Sequence, residues 1–415
     1  MKKTLLLSVV ASAVVMAGGD IAPAPAAAPV APAAKVSAWD FSGQAVVYYQ
    51  TTDYNDFMNT GSNGNLFDQT SSLADAGLQL RATNKDVFAG IGAGVELNGL
   101  STLNLENSVV SNVMQGVGNA GDLDDLTDGG WIAQMYLTYG VGNTTLKLGR
   151  QELPKALSPF AFSESWNVFK NTFDAALVVN TDLSNTTLVG AWVHSANHNG
   201  IGAGANLSDF NSVNGSDGVY MLTAQNKSVK DLTLTGTWYY GSDMAVTDDI
   251  NILWADAKYA MNNYSIALQG GTVMSDAFNN DTVAFGAKVG GSFGMVNASV
   301  AYSNVDDGDT GVFNVGGVKT PLYTQMILNQ GAISSDNDTV VARADVKALN
   351  GKIALAYDYT TDNSDANNDY QELDLVYKTK VFADSTTLFA GYIYQDADNW
   401  DDAHNTLRVW GRYNF

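Results

Sequence analysis

One set of charged side chains that could carry chemistry lies in a single segment, residues 152–171. That segment contains Glu152, Lys155, Glu164 and Lys170 among many large apolar residues. An exposed loop is not usually so rich in aromatic side chains, so the composition indicates a loop packed against an inner wall. Charges of both signs on such a loop would create a field across an aqueous passage and select solutes by charge and size. We therefore expect this segment to form a pore constriction.

A second set of charged residues shares the polar faces of segments that alternate between apolar and polar residues. In a barrel strand that face borders the lumen, where charged groups stay hydrated. The basic members of this set are Arg81, Lys147, Lys258, Lys288, Arg343, Arg408 and Arg412. For any single one, the alternative is a solvated wall charge without a specific role. Arg150 instead falls in phase with Leu146 and Leu148, which indicates that its strand has ended and that its side chain turns into the pore mouth.

Metal and enzyme chemistry receive little support from the sequence. Asp306, Asp307 and Asp309 offer oxygen ligands of the kind that Ca²⁺ prefers, but no acidic cluster matches a complete EF-hand loop. Solvated negative charge is the simpler interpretation, so these three are weak metal candidates. His194 and His198 have a spacing that binds metal on a helix, yet they follow a strand. We expect no cofactor other than a possible bound Ca²⁺, and no enzymatic activity.

The elements that must position these residues are short segments with a period of two. Such a period is typical of β-strands with different environments on their two sides and is not produced by amphipathic helices. Eighteen segments are found, with 16 as the alternative count. They start near positions 38, 73, 87, 131, 143, 172, 187, 218, 231, 250, 263, 282, 295, 339, 352, 370, 387 and 405. Long polar connections alternate with short turns, so the sequence predicts an all-β, transmembrane antiparallel barrel with long extracellular loops and short periplasmic turns.

The start of the chain predicts export. Residues 1–18 have the basic start, apolar run and small residues of a cleavable signal peptide. Residues 19–36 are dominated by Ala and Pro and are predicted to be a periplasmic spacer, which leaves 37–415 as the barrel domain. The chain has no cysteine. Its net charge of −22 disfavours nucleic-acid binding and favours an interaction with cations.

Short motifs add a family resemblance. Residues 148–154 (LGRQELP), 171–175 (NTFDA) and 320–323 (TPLY) resemble the OprD-type outer-membrane porins, and most closely the major outer membrane porin of the Campylobacter group. The resemblance implies an 18-stranded barrel, commonly trimeric, with inward-folded loops that narrow the pore. The terminal Phe415 resembles the aromatic residue by which such barrels are recognised for assembly.

From these observations we expect a channel for passive diffusion of ions and small polar solutes in the outer membrane of a Gram-negative bacterium, mildly cation-preferring because of its net charge. The expected partners are outer-membrane lipid and lipopolysaccharide, the barrel assembly machinery and two further copies in a homotrimer. The alternative is a surface adhesin or structural anchor, which the long loops rich in Gly, Asn and Asp would also suit.

Overall fold

The period-two segments form β-strands that join into one sheet. The computed structural model describes residues 39–54, 64–118, 127–245, 247–365 and 367–415. The predicted signal peptide 1–18 and spacer 19–36 lie outside the described residues. Among the described residues, no helix is long and apolar enough to cross a membrane.

Eighteen strands make up the barrel. They are β1 Asp40–Thr52, β2 Ser72–Phe88, β3 Ile91–Ser101, β4 Asp128–Val141, β5 Thr144–Gln151, β6 Phe173–Asn180, β7 Thr186–Ala196, β8 Val219–Asn226, β9 Leu232–Ala245, β10 Asp248–Met261, β11 Tyr264–Met274, β12 Thr282–Phe293, β13 Val296–Val305, β14 Asn337–Ala348, β15 Gly351–Asp362, β16 Tyr370–Val381, β17 Thr386–Ala397 and β18 His404–Asn414. The prediction of 18 antiparallel strands is confirmed, and the 16-strand alternative is wrong.

Each strand pairs with its sequence neighbours, and the last strand closes the sheet on the first. In this seam, β1 pairs with β18 from Gln44 opposite Asn414 to Thr52 opposite Thr406. Two backbone hydrogen bonds between Gly43 and Phe415, of 2.8 and 3.0 Å, extend the seam by one more pair. Closure satisfies the hydrogen-bonding groups that an open edge would leave exposed.

The two faces of the wall differ as the alternation predicts. On β2, Leu78 and Leu80 point outward and are 48% and 46% exposed, whereas the intervening Gln79 points inward and is 8% exposed. The same alternation recurs on the other strands, so the apolar residues cover the outside and the polar residues line the lumen.

The long loops lie at one end of the barrel and the short turns at the other, and we call these the long-loop end and the short-turn end. Three short pieces of sheet occur among the loops: Gln115–Gly116 pairs in parallel with Gly202–Asn206, and Asn211–Ser212 extends the edge of β7. Single 3₁₀ turns are found at Gln69–Ser71, Leu105–Asn107 and Asn329–Gly331. Two apolar clusters fill the space between the loops and the inner wall, so the core of the protein lies inside the barrel.

This arrangement makes a testable distinction between the two faces of one strand. Leu80→Arg, on the outward face at the middle of β2, should lower the free energy of unfolding in lipid vesicles by about 2–4 kcal/mol, because it places a charge against acyl chains. Thr83→Arg is the matched control on the inward face of the same strand and should cost much less. Chemical unfolding of both variants measures the difference, and equal costs would contradict the assignment of the two faces.

Candidate pore constriction

The loop between β5 and β6, residues 152–172, enters the lumen and reaches the far wall; we call it the crossing loop. At one contact, the hydroxyl of Tyr239 on β9 lies 3.2 Å from Oγ of Ser158 and accepts a hydrogen bond of 3.1 Å from the backbone N–H of Phe160. The ring of Phe160 packs edge-on against Tyr239 and against Trp254 of β10, with centroids 5.9 and 5.2 Å apart. These contacts fix the first half of the loop to the wall.

The second half of the crossing loop is held by β1, β2 and β18. Arg412 donates hydrogen bonds to the carbonyls of Asn167 at 3.3 Å and Val168 at 3.0 Å, and Tyr48 donates to the carbonyl of Trp166 at 3.1 Å. A Cβ at Gly77 of β2 would lie 2.7 Å from the ring of Phe169, so glycine allows the ring to pack directly on the strand. The loop therefore spans the lumen between two opposite parts of the wall.

An ion-pair network joins the root of the crossing loop to β2 and β3. Lys170 donates to Glu152 at 2.6 Å, and Nη2 of Arg81 lies 3.6 Å from the same carboxylate. Arg81 also pairs with Glu96 through its Nε at 2.8 Å, and Gln134 bridges Glu96 at 2.8 Å and Glu152 at 3.3 Å. Both carboxylates are buried, so opposite charges and amide donors replace the water that they lose.

A second loop, residues 306–336, also turns into the lumen; we call it the clasp loop. Arg343 on β14 donates to the carbonyls of Tyr323 and Thr324, both at 3.2 Å, and of Gln325 at 2.9 Å. A guanidinium that satisfies three consecutive carbonyls fixes the path of the loop along the wall. This charge on the lumen face is therefore largely structural.

The tip of the clasp loop is held by carboxylates. Glu372 on β16 accepts hydrogen bonds from the backbone N–H groups of Ile327 at 3.0 Å and Leu328 at 2.9 Å. Asp358 on β15 accepts a hydrogen bond of 2.6 Å from the side-chain amide of Asn329. Basic and acidic wall residues thus bind opposite backbone groups of one loop.

Glu164 joins the two loops and is only 3% exposed. Its carboxylate accepts hydrogen bonds from Nδ2 of Asn314 at 2.7 Å, from the backbone N–H groups of Lys319 at 2.8 Å and Val318 at 3.2 Å, and from Nε1 of Trp166 at 2.7 Å. Four donors around one buried carboxylate explain how the charge is tolerated without a direct ion pair.

One lysine adds a further bond between the loops, and a second lysine bonds within the clasp loop. Lys155 of the crossing loop is exposed to the lumen, and its Nζ donates a hydrogen bond to the carbonyl of Thr320 at 2.8 Å. Lys319 donates within the clasp loop to the carbonyl of Met326 at 2.8 Å and to that of Ile327. The two loops consequently form one connected shelf across the lumen.

The remaining basic candidates line the wall around this shelf. Lys147 is buried with its Nζ 3.8 Å from the ring centroid of Tyr136, and Lys258 lies 3.0 Å from Asp256. Arg408 is buried and donates to Gln50 at 2.8 Å. Lys288 points inward from β12 and makes no hydrogen bond or ion pair within the part of the chain that the structure describes. It is thus an inward-facing cation without a partner among the described residues.

Arg150 does not turn into the pore mouth, contrary to what we expected from its place in the sequence. It remains within β5, opposite Met135, which is on the outward face and 58% exposed. Its guanidinium pairs with both oxygens of Asp174 at 2.9 and 3.1 Å and donates to the carbonyl of Ile132 at 3.0 Å. Strand β5 continues through Arg150, so the alternation of side chains gives the outward face correctly. The expected place of Arg150 in the pore mouth is wrong.

Two of the three weak metal candidates accept hydrogen bonds from backbone groups of the loops. Asp306 accepts a hydrogen bond from the backbone N–H of Val283 at 2.7 Å, and Asp309 accepts from the backbone N–H of Asn279 at 2.7 Å. Among the described residues, no group of three or more acidic or histidine side chains is arranged to hold a metal ion. Asp306 and Asp309 therefore bind the backbone near the start of β12, and a bound Ca²⁺ stays a prediction.

The sequence alone gave no indication that Gln115 and Asn199, which lie in other loops, help to hold the crossing loop. Gln115 donates through its amide to the carbonyl of Phe169 at 2.7 Å and to Oδ1 of Asn199 at 2.8 Å, while its backbone N–H donates to Asp75 at 2.7 Å. Neutral amides in polar loops carry no pattern that separates a buried clamp from a solvated residue.

A prediction follows for the junction of the two loops. Glu164→Ala should leave the barrel folded but should speed hydrogen exchange at the backbone N–H groups of Val318 and Lys319 about tenfold or more, because these donors lose their acceptor. Glu164→Gln should have a smaller effect, since it keeps one acceptor oxygen. Asp276→Ala, in an exposed loop, is the control. Unchanged exchange in Glu164→Ala would show that the carboxylate does not hold the clasp loop.

The fold of this chain is similar to that of several solved structures, whereas its sequence matches no known family. No protein-family model matches the sequence, and no curated protein sequence matches it. Solved structures do match. OccK8 (OprE) of Pseudomonas aeruginosa is 15% identical with a TM-score of 0.71, over 91% of this chain and 98% of that one. OccK9 (OpdG) of Pseudomonas aeruginosa is 16% identical with a TM-score of 0.71, over 91% and 98% of the chains. OccAB3 of Acinetobacter baumannii is 14% identical with a TM-score of 0.71, over 91% and 99%.

Proposed function

We propose that this chain is an outer-membrane porin of a Gram-negative bacterium and forms a water-filled channel for passive diffusion of ions and small polar solutes. The fold that it shares with OprD-type porins supports this function. The observation that carries it is the pair of loops bound inside an 18-stranded barrel, because a barrel of this width would otherwise leave an open channel. The closer likeness to the Campylobacter porin rests on short motifs and belongs to the proposal.

The shelf favours a narrowed channel over a simple structural anchor. The crossing loop and clasp loop are attached to the wall by charged side chains and not by apolar contacts alone. Such a wall is hydrated wherever a charge lacks a partner, as at Lys288. An anchor or adhesin needs no such cation-bearing interior, although the exposed loops leave it as the second candidate.

Ion selectivity is set by two opposing regions in this proposal. Acidic residues concentrate at the long-loop end, where Asp307, Asp336 and Asp362 lie near one another. Partial burial raises the pKa of Asp336 above its usual value, and the neighbouring carboxylates raise that pKa further. The acidic mouth enriches cations and produces the mild cation preference that we propose, whereas the inward lysines oppose it.

Planar-bilayer recording tests both parts of this proposal. Lys288→Gln should keep stepwise conductance and should increase the permeability ratio of K⁺ over Cl⁻, because it removes an unpaired positive charge from the lumen. Lys230→Gln, in a turn at the short-turn end, is the matched control and should not change the ratio. Anion preference of the unmodified protein would contradict the selectivity, and absence of stepwise conductance would contradict the channel. Loop-dependent binding to a surface partner without conductance would favour the adhesin.

The partners follow from the same location and are part of the proposal. Lipid contacts the outward apolar face, and lipopolysaccharide contacts the acidic rim through divalent ions. The barrel assembly machinery inserts the chain, and three copies assemble as a homotrimer. Cross-linking of the purified protein into a trimeric band would support the assembly.

A further inference from the structure

Two aromatic rings are stacked on the inward face of the wall, next to the crossing loop, whose residues Val168 and Phe169 belong to the apolar cluster against which Trp410 packs. Phe389 on β17 and Trp410 on β18 are directly opposite each other in the strand register. Their ring centroids are 5.1 Å apart, and their planes differ by 2°. Both side chains are partly accessible. A stacked and accessible pair of rings on a wetted wall offers a surface on which another planar ring can stack.

Cations flank this pair. Nζ of Lys378, which is opposite Phe389 on β16, lies 5.7 Å from the ring centroid of Trp410. The guanidinium of Arg412 lies 5.5 Å from the same centroid, but it is already bonded to Gln44 and to the crossing loop. Lys378 is exposed and has no hydrogen bond or ion pair among the residues that the structure describes. Its charge is therefore available to an anion that reaches the rings.

The lysines continue in a row away from the rings. Lys347 on β14 is opposite Lys352 on β15, and Lys352 is opposite Lys378. Like charges directly opposite on adjacent strands are destabilising. In this row only Lys352 forms an ion pair within the described structure, with Asp345 at 2.9 Å. A bound anion with more than one charge would relieve the repulsion that remains.

We infer that this surface binds planar aromatic solutes that carry a multiply charged anionic group such as phosphate. We call it the aromatic–lysine patch, and it consists of Lys347, Lys352, Lys378, Lys380, Phe389 and Trp410. The ring of the solute stacks against Phe389 and Trp410, and its anionic group lies toward the lysine row. One cation suffices for a singly charged carboxylate, whereas a row of adjacent lysines matches a phosphate. The inference rests on the proposed channel function, because a solute reaches the patch through the lumen.

Titration calorimetry of the purified, detergent-solubilised protein tests the inference with adenosine 5′-monophosphate as the probe. Adenosine, which lacks the phosphate, and ribose 5-phosphate, which lacks the ring, are the comparison ligands. The monophosphate should bind at least about tenfold more tightly than either, since both stacking and charge contribute. Comparable binding of ribose 5-phosphate would overturn the role of the rings, and comparable binding of adenosine would overturn the role of the lysines.

Variants locate the site. Trp410→Leu and Lys378→Gln should each weaken binding of the monophosphate about tenfold. Trp192→Leu, on the outward face of β7, and Lys230→Gln should leave it unchanged. Phe389→Leu is a second stacking variant, to be used if Trp410→Leu does not fold. Unaltered affinity in the variants that fold would overturn the patch.

Conductance separates this inference from the function on which it rests. The monophosphate should interrupt the current through the unmodified channel, and the interruptions should shorten in Lys378→Gln. Stepwise conductance without interruption or binding would overturn the patch and leave the channel standing. Ligand binding with the specificity above but without any conductance would overturn the channel and keep the patch.

Discussion

Backbone hydrogen bonding is the constraint on which this structure depends. Inside a bilayer, a strand has no water with which to pair its N–H and C=O groups, so each strand needs a neighbour on both sides. The pairing of β1 with both β2 and β18 meets that requirement around the whole circumference. Once the sheet is closed, the alternation of side chains fixes which residues meet lipid and which meet the lumen. The interior can then be polar, provided that its buried charges find partners.

The polar interior is used mainly to hold loops. Arg343 and Arg412 bind carbonyl groups, while Glu372 binds N–H groups, of loops that have no strand to pair with. The crossing loop and the clasp loop thereby satisfy their backbones against the wall, as strands do against each other. Glu164 then couples the two loops, so that neither can move far without breaking bonds to the other.

The sequence predicted the wall far better than its contents. Every strand begins within about four residues of its predicted start, because lipid on one side and water on the other impose a strict period of two. The same period correctly gave the outward face for Arg150, and the error came from assuming that its strand had ended. The loops obey no period. Glu164 could be recognised as a charge in an aromatic segment, but its partner Asn314 is about 150 positions away in the chain and has no distinguishing pattern.

The seam between the first and last strands has a consequence for how the molecule is made. Residues 44–52 pair with residues 406–414, so the contacts that close the barrel join the two extremes of the described chain. Contacts of such long sequence separation carry a large loop-closure entropy and form late in folding. Until then β1 and β18 are two unpaired edges, which can join a neighbouring molecule as readily as each other. Closure of this seam therefore pairs the last two open edges, and a chain that lacked either terminal strand would keep an edge prone to aggregation.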